Sequence, residues 1–318
     1  MLQLDAPVLA LRLDRRALIA ALDRAFREPC TVPARQQYAL PAGQSAHGSP
    51  GGHGAGTLLV MPAWTQGRSL GIKIVTVFPE NSRRNLHSVN ASYLLLDAAS
   101  GQPRALLDGT ELTLRRTAAA SALASMYLSR TDASRLVVVG TGTLAPHLIE
   151  SHALVRPIRS VRIWGRRAER ATALAARLSR EGLLVEATDD LQAAVRWADL
   201  VSCATLAHDP LVLGAWLRPG QHLDLVGSFT AQMREADDEA IGRCDLYVDT
   251  RAGALAESGE IIGAIARGVI DASAIRAELS DLPSGRFARA GDDAITVFKS
   301  VGTAIEDLAA AELACAAP

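Results

Sequence analysis

No excess of either charge sign marks this 318-residue chain: 33 lysines and arginines stand against 34 aspartates and glutamates. Such a balance provides no global field to attract nucleic acid or an anionic membrane, so any anion site has to be local. Long apolar runs are missing too. No uncharged stretch reaches the roughly 18 residues that suggest a membrane span. The N-terminal MLQLDAPVLALRLDRR carries Asp5 and Arg12 within its apolar pattern, which argues against a secretory leader. The expectation is a cytoplasmic protein with neither nucleic acid nor membrane as partner. Cysteine is sparse, and Cys30, Cys203, Cys244 and Cys315 form neither a CxxC pair nor a metal-ligand rhythm with histidine. They read as buried or incidental thiols. His47 and His53 lie in the Gly/Ser-rich loop sequence PAGQSAHGSPGGHGAG, with no thiol or carboxylate beside them to fix coordination, so no metal is expected. Solenoid-period repeats and a convincing hydrolase triad are also absent.

What is present is enough chain and apolar content, 49% hydrophobic, for two cores. The chain opens with a strand, followed by a helix over residues 14–27 with Asp14 as its cap. From about residue 32 to residue 108, short apolar or β-branched runs such as TLLVMPAW, GIKIVTVFP and ASYLLLD are separated by Gly, Pro and Asn, which predicts a β-rich domain. GTELTLRRTAAASALASMYLS reads as a long linking helix with Thr113 near its start. Beyond residue 134, RLVVVG, SVRIWG, LVEAT, ADLVSCAT, HLDLVG and LYVDT are buried-type strands, mostly separated by helical stretches. That pattern predicts an α/β, doubly wound parallel sheet covered on both faces. The tail is helical beyond Gly302 and is expected to return to the first domain. The expected division is therefore residues 1–116 with 299–318, and residues 117–298.

RLVVVGTGTLAPHL supplies Gly140, Gly142 and Ala145 as GxGxxA directly after an apolar strand and at a helix start, with Thr141 and Thr143 between them. Gly140 permits the tight turn, Gly142 admits a pyrophosphate to the backbone, and Ala145 allows close helix packing. A lone match of this type is weak, but the strand, turn, helix and strand around it point to a Rossmann-type dinucleotide site. Pro146 is unusual there, yet a first helical turn tolerates it. The next strand, SVRIWGRRAER, ends without the acidic residue that would bind ribose hydroxyls. Arg166 and Arg167 stand there instead, and guanidinium suits a ribose 2′-phosphate. NADPH is thus the expected cofactor, with NADH the alternative; the bland reading is that these arginines only coat a helix start. Thr205 and Ser228, at strand carboxyl ends, are further expected cofactor contacts.

Three basic residues stand out in the β-rich half: Arg35 in TVPARQQY, Lys73 in GIKIVTVFPEN and Arg116 in LTLRRTAAAS. Lys73 interrupts an apolar strand, where an ammonium needs a partner or ligand to offset desolvation. Their contexts MPAW, GIKIVTVFPEN, LDAASGQPRALLDGTELTLRRTAA, VVVGTG, VGSFTAQMREAD and VFKSVGTAIEDLAAAE resemble, in order and over nearly the whole chain, the ornithine cyclodeaminase/μ-crystallin family. The resemblance implies a β-rich dimerisation and substrate domain joined to a Rossmann domain, a homodimer, and an active site in the cleft between the domains. It also implies that Arg35, Lys73 and Arg116 bind a substrate carboxylate, with Lys73 and Arg116 catalytic and Thr117 beside them. Arg115 is the alternative by a shift of one, although Thr117 favours Arg116. Glu306 and Asp307 read as capping or structural pairing.

The family hosts several chemistries, so membership alone does not choose the reaction. Its cyclodeaminases carry an aspartate two residues after the glycine of the VG motif, serving substrate amines and proton transfer. Phe229 occupies that position here and cannot do this. An aromatic wall suits a flat, largely apolar ring. The resemblance therefore implies an NADPH-dependent ketimine reductase, with Phe229 at the substrate. It would reduce Δ1-pyrroline-2-carboxylate to L-proline and Δ1-piperideine-2-carboxylate to L-pipecolate. The alternatives are an alanine-dehydrogenase-like or N-alkylamino-acid-forming reductase, an ornithine cyclodeaminase, and a non-catalytic NADPH-binding protein.

Overall fold

A computed structural model describes residues 1–41, 56–84 and 86–316; His47 and His53 lie outside the described residues. The chain divides into two compact units, one formed by Met1–Ala21, Glu28–Arg116 and Thr303–Pro318, the other by Leu22–Arg27 and Thr117–Gly302. Residues 299–302, expected in the first unit, belong to the second. The reason is the strand ending at Lys299, which is paired on both sides inside the second unit's sheet.

The first unit opens with β1 (Leu2–Leu4), which leads into α1 (Ala6–Arg12) and α2 (Arg15–Ala25), whose residues from Leu22 onward count with the second unit, against the expectation that all of 1–116 belongs to the first. One apolar stretch becomes two helices because two aspartates each cap a start. Asp5 accepts from Val8 N at 3.0 Å, and Asp14 from Ala17 N at 2.9 Å. Pro7 sits in the first turn of α1, where its missing N–H costs nothing. The strands β2 (Gln36–Leu40), β3 (Gly56–Thr65), β4 (Ser69–Val77), β5 (Val89–Asp97) and β6 (Pro103–Asp108) form an antiparallel meander, and β1 adds in parallel to β6.

The period of two divides this sheet into unlike faces. On β4, Ser69, Gly71, Lys73 and Val75 are buried, whereas Leu70, Ile72, Ile74 and Thr76 alternate with them and stay at least partly exposed. The buried face carries Met61, Ala63, Tyr93, Leu95, Ala105 and Leu107 and is covered by the C-terminal helix Ala304–Ala316. The other face is a continuous apolar ladder, with Val60 opposite Ile74, Pro62 opposite Ile72, Ile72 opposite Leu94, and Leu94 opposite Leu106. α3 (Gly109–Leu128) starts at Asp108, which accepts from Glu111 N at 2.8 Å; Thr113 instead bonds back to Gly109 O. Its last turn is closed by Arg156, which donates to the carbonyls of Ser125, Met126 and Ser129.

The second unit runs β7 (Arg135–Val139), α4 (Leu144–Val155), β8 (Ser160–Trp164), α5 (Ala168–Leu178), β9 (Leu184–Thr188), α6 (Leu191–Trp197), β10 (Leu200–Cys203), β11 (His222–Leu225), α7 (Asp238–Arg243), β12 (Asp245–Val248), α8 (Arg251–Glu257), α9 (Gly259–Ala266), β13 (Ile275–Glu278) and β14 (Thr296–Lys299). All eight strands are parallel, in the order β13-β12-β14-β11-β10-β7-β8-β9. β7 shows why its run VVV is unbroken: Leu136 and Val138 enter one core with Val161 and Ile163, and Val137 and Val139 enter the other with Val201 and Leu223. α5 covers the first core with Ala171, Leu174, Ala175 and Leu178, at helical spacing. The chain winds outward from β7 in both directions, which makes the β7/β10 boundary the switch point where such sheets bind ligands. Among the described residues, no helix is long and apolar enough to cross a membrane.

Candidate active site

Lys73 sits midway along β4 on the buried face, opposite Met61 and Tyr93, and is 1% exposed. Its Nζ lies 2.7 Å from Asp307 Oδ2. Arg116, in the second turn of α3, donates from Nε to Asp307 Oδ1 at 3.0 Å and from Nη1 to Glu306 Oε2 at 2.5 Å. Both carboxylates stand in the first turn of the C-terminal helix, where the helix dipole favours negative charge. The cations are therefore not a bare trio. Two buried positive charges are matched by two buried negative ones, and Glu306 and Asp307, expected only to cap or pair structurally, are the partners.

The electrostatics follow from that pairing. Burial lowers the Lys73 pKa most and Arg116 adds to the effect, while Asp307 opposes both; the balance brings it down to about 8, with Arg35 contributing a further small lowering. Without Asp307, the ammonium would face desolvation and two guanidinium groups alone. Arg35 is half-buried just ahead of β2. Arg115 is engaged elsewhere, with Glu111 at 2.6 Å and Leu13 O at 3.2 Å, whereas Arg116 shares Asp307 with Lys73. Thr117 follows on α3 and is partly exposed.

In the second unit, Gly140 has φ +130°, and a Cβ there would lie 2.5 Å from Ala204 O. Glycine is required because the turn after β7 presses against the end of β10. A Cβ on Gly142 would meet nothing within 4 Å, so the backbone faces open space. Thr143 precedes α4 without making a side-chain cap, which leaves that helix start available to an anion. Thr141 packs beneath Gly165, while Ala145 is wholly buried in the core between α4 and the sheet. Arg166 and Arg167 are exposed just beyond β8. An open glycine turn, a helix start without a side-chain cap and two exposed arginines fit a dinucleotide.

Thr205 and Ser228 are differently engaged. Thr205 donates from both N and Oγ1 to Glu235. Ser228 is wholly buried, its hydroxyl bonded to Glu260 and Lys299. Neither hydroxyl points outward as a simple cofactor ligand would. Phe229, next along, is partly exposed.

Glu235, Glu260 and Lys299 were not singled out from the sequence. A signal existed: of 33 basic residues only Lys73 and Lys299 are lysine, and both are buried. In a chain that otherwise uses arginine, each lysine marks a place needing a compact charge on a flexible stem.

The sequence model of the ornithine cyclodeaminase/mu-crystallin family matches residues 46–315. A Delta(1)-pyrroline-2-carboxylate reductase of Paracoccus denitrificans (strain Pd 1222) is 41% identical over 280 residues, covering 86% of this chain and 87% of that one. The solved structure of Thermococcus litoralis Delta(1)-pyrroline-2-carboxylate reductase, in complex with NADH and L-proline, is similar with a TM-score of 0.90 at 34% identity, over 99% of this chain and 96% of the other. An archaeal alanine dehydrogenase dimer with bound NAD gives a TM-score of 0.89 at 26% identity, over 99% and 95% of the two chains.

Proposed function

This chain belongs to the ornithine cyclodeaminase/mu-crystallin family, and from that premise we propose that it is an NAD(P)H-dependent reductase of cyclic imino acids, converting Δ1-pyrroline-2-carboxylate to L-proline. The observation that carries this reading is Lys73, buried on the inner sheet face and coupled through Asp307 to Arg116. An ammonium has three donors, so the Asp307 contact leaves capacity for a substrate carboxylate. Arg116, with Arg35, supplies guanidinium N–H groups to the same anion. Glu306 and Asp307 hold Lys73 and Arg116 in a fixed geometry before substrate arrives, and Asp307 keeps Lys73 mostly protonated at neutral pH. When bound, NAD(P)H supplies the hydride accepted by the imine carbon. The GxGxxA turn, from Gly140 to Ala145, would hold its pyrophosphate, with Thr141 and Thr143 alongside. Thr205 and Ser228 would act through backbone groups, because their hydroxyls bond inward.

Phe229 favours a ring reductase over a deaminating cyclase, since a benzyl group cannot exchange protons with a substrate amine. We extend the proposal to the six-membered Δ1-piperideine-2-carboxylate, which differs by one methylene, a difference an apolar wall discriminates only weakly. A preference for NADPH is supported by Arg166 and Arg167 at the end of β8. The apolar ladder through Val60, Ile72, Ile74, Leu94 and Leu106 supports a homodimer formed by that sheet face. Four free cysteines suit a reducing compartment, and we infer the cytoplasm.

The test is NAD(P)H oxidation with the five- and six-membered imines, and with pyruvate plus ammonia or methylamine. Turnover of the imines is the expected outcome. Turnover only with pyruvate and an amine would overturn the substrate assignment, and ammonia release from L-ornithine would overturn the reading of Phe229.

A further inference from the structure

The loops after β10 and β11 leave the carboxyl ends of adjacent parallel strands, where doubly wound sheets receive their ligands. Both loops are tied to one buried carboxylate. Glu235 Oε1 accepts from Thr205 N at 2.6 Å and from Thr205 Oγ1 at 2.9 Å, and its Oε2 accepts from Gly227 N at 2.8 Å. The junction leaves no room to spare: a Cβ on Gly227 would lie 2.2 Å from Thr205 N and 2.4 Å from Glu235 Oε1. Behind it, Glu260 accepts from Glu235 N at 2.8 Å, and from Ser228 Oγ. Lys299 donates to Ser228 O at 2.6 Å, with its Nζ 3.5 Å from Glu260 Oε2. Glu235, Glu260 and Lys299 are each fully buried. Two carboxylates and one ammonium sum to minus one when all are ionised. Apolar side chains of similar volume would leave the N–H groups of Thr205, Gly227 and Glu235 without these acceptors, so the two carboxylates fix the course of both loops.

We propose that Glu235 is a positioning residue for dinucleotide binding: through Thr205 and Gly227, its carboxylate keeps the loops after β10 and β11 in the arrangement that accepts the nicotinamide half. The proposal rests on the dinucleotide reading given above. It also makes binding sensitive to pH. Burial raises the Glu235 pKa most and Glu260 adds to it, against Lys299 and the N–H groups of Thr205 and Gly227, bringing it to about 7. The charged groups facing it are Lys299 on β14 and Glu260 on α9; Cys203 on β10 is held well above the ordinary thiol range by burial and then by Glu235. Both Glu235 oxygens act as acceptors here. Protonation replaces a charged acceptor with a neutral acid, which weakens the bonds from both loop N–H groups and loosens the loops.

The experiment is fluorescence titration of the full-length protein with NADH between pH 6 and 8.5. NADH is used because the extra phosphate of NADPH titrates near the same range. Wild-type Kd is expected to rise as pH falls through 7, approaching about tenfold per pH unit below it, the limit for one proton. Glu235→Gln is expected to bind NADH more weakly at pH 8 and to lose the inflection, a change that a merely structural role would not produce. Retention of the inflection in Glu235→Gln, or pH-independent binding by wild type, overturns the role of Glu235. If Glu235→Gln does not fold, Thr205→Val carries the test. Removing one hydrogen bond to the charged form should weaken binding at pH 8 and move the inflection upward; an unchanged profile overturns the proposal. Absence of NADH binding by wild type at every pH would instead overturn the dinucleotide reading from which the proposal starts.

Discussion

Replacing Lys73 with methionine keeps the length and much of the volume of the side chain but deletes an ammonium 2.7 Å from Asp307. Arg116 still pairs with Asp307 and Glu306, so the acidic pair keeps one of its two counterions, the same charge balance that the wild type reaches when Lys73 is deprotonated. The loss falls on the carboxylate of the substrate, which forfeits a charge-assisted hydrogen bond of about 1.5–3 kcal/mol, or roughly 10- to 150-fold in kcat/KM. This loss should appear only where wild-type Lys73 is protonated. With its pKa lowered to about 8, the ammonium form accounts for about nine-tenths of molecules at pH 7 and about one-tenth at pH 9. The sign is therefore fixed: kcat/KM of the wild type falls as pH rises through 8. The assay is initial rates of imine reduction from pH 6.5 to 9.5 for both proteins. Titration of the imine itself affects the two alike and cancels in their ratio. That ratio should be large at pH 7 and shrink toward one above pH 9. A ratio that stays constant across this range would refute the argument. Because the chain has two lysines, protein labelled with ¹³C-lysine offers an independent check: the Cε resonance missing from Lys73→Met should titrate near pH 8.

Two other perturbations test separate parts of the reading. Arg166→Ala should raise the Kd for NADPH about 10- to 100-fold, the range for losing a guanidinium–phosphate contact, and change that for NADH less than about threefold; equal effects on both coenzymes would remove Arg166 from 2′-phosphate recognition. Ile74→Glu puts a charge at the centre of the apolar ladder on the first unit's sheet and should convert a dimer to monomers in sedimentation at micromolar concentration, whereas a monomeric wild type would end the proposed sheet-face interface.

The helices and strands were legible wherever their local cause was short-ranged. Asp14 capping α2, the GxGxxA turn after β7 and the unbroken valines of a strand buried on both faces each act within a few residues, so sequence alone exposes them. The split of the N-terminal stretch into α1 and α2 was less visible, because Asp5 and Asp14 cap two helices where one apolar pattern runs on. Strand β14 contains the expected boundary at residue 299, and the structure moves that boundary past Gly302, for a different reason. Its sequence reports burial but not which neighbours pair with it, and β11 and β12 lie far away along the chain.

The same distinction governs the site. Lys73 stands out because a charge within an apolar strand needs an explanation at its own position, whereas Arg35 and Arg116 stand out only through the motifs around them, which resemble those of the family. The pairing of Lys73 and Arg116 is not legible in the sequence: Asp307 lies 234 positions beyond Lys73 and 191 beyond Arg116 along the chain, and only the return of the C-terminal helix over the sheet brings it within 3.0 Å of both. Likewise, a serine at a strand end looks like a cofactor ligand until its hydroxyl is found bonded to Lys299 and Glu260. Sequence determined which elements form and which side chains carry charge, because propensity, capping and period act locally. Tertiary structure decided which charges meet and which stay buried, and thereby which proton is held near neutral pH, because Coulomb interaction and desolvation depend on distance through space rather than along the chain.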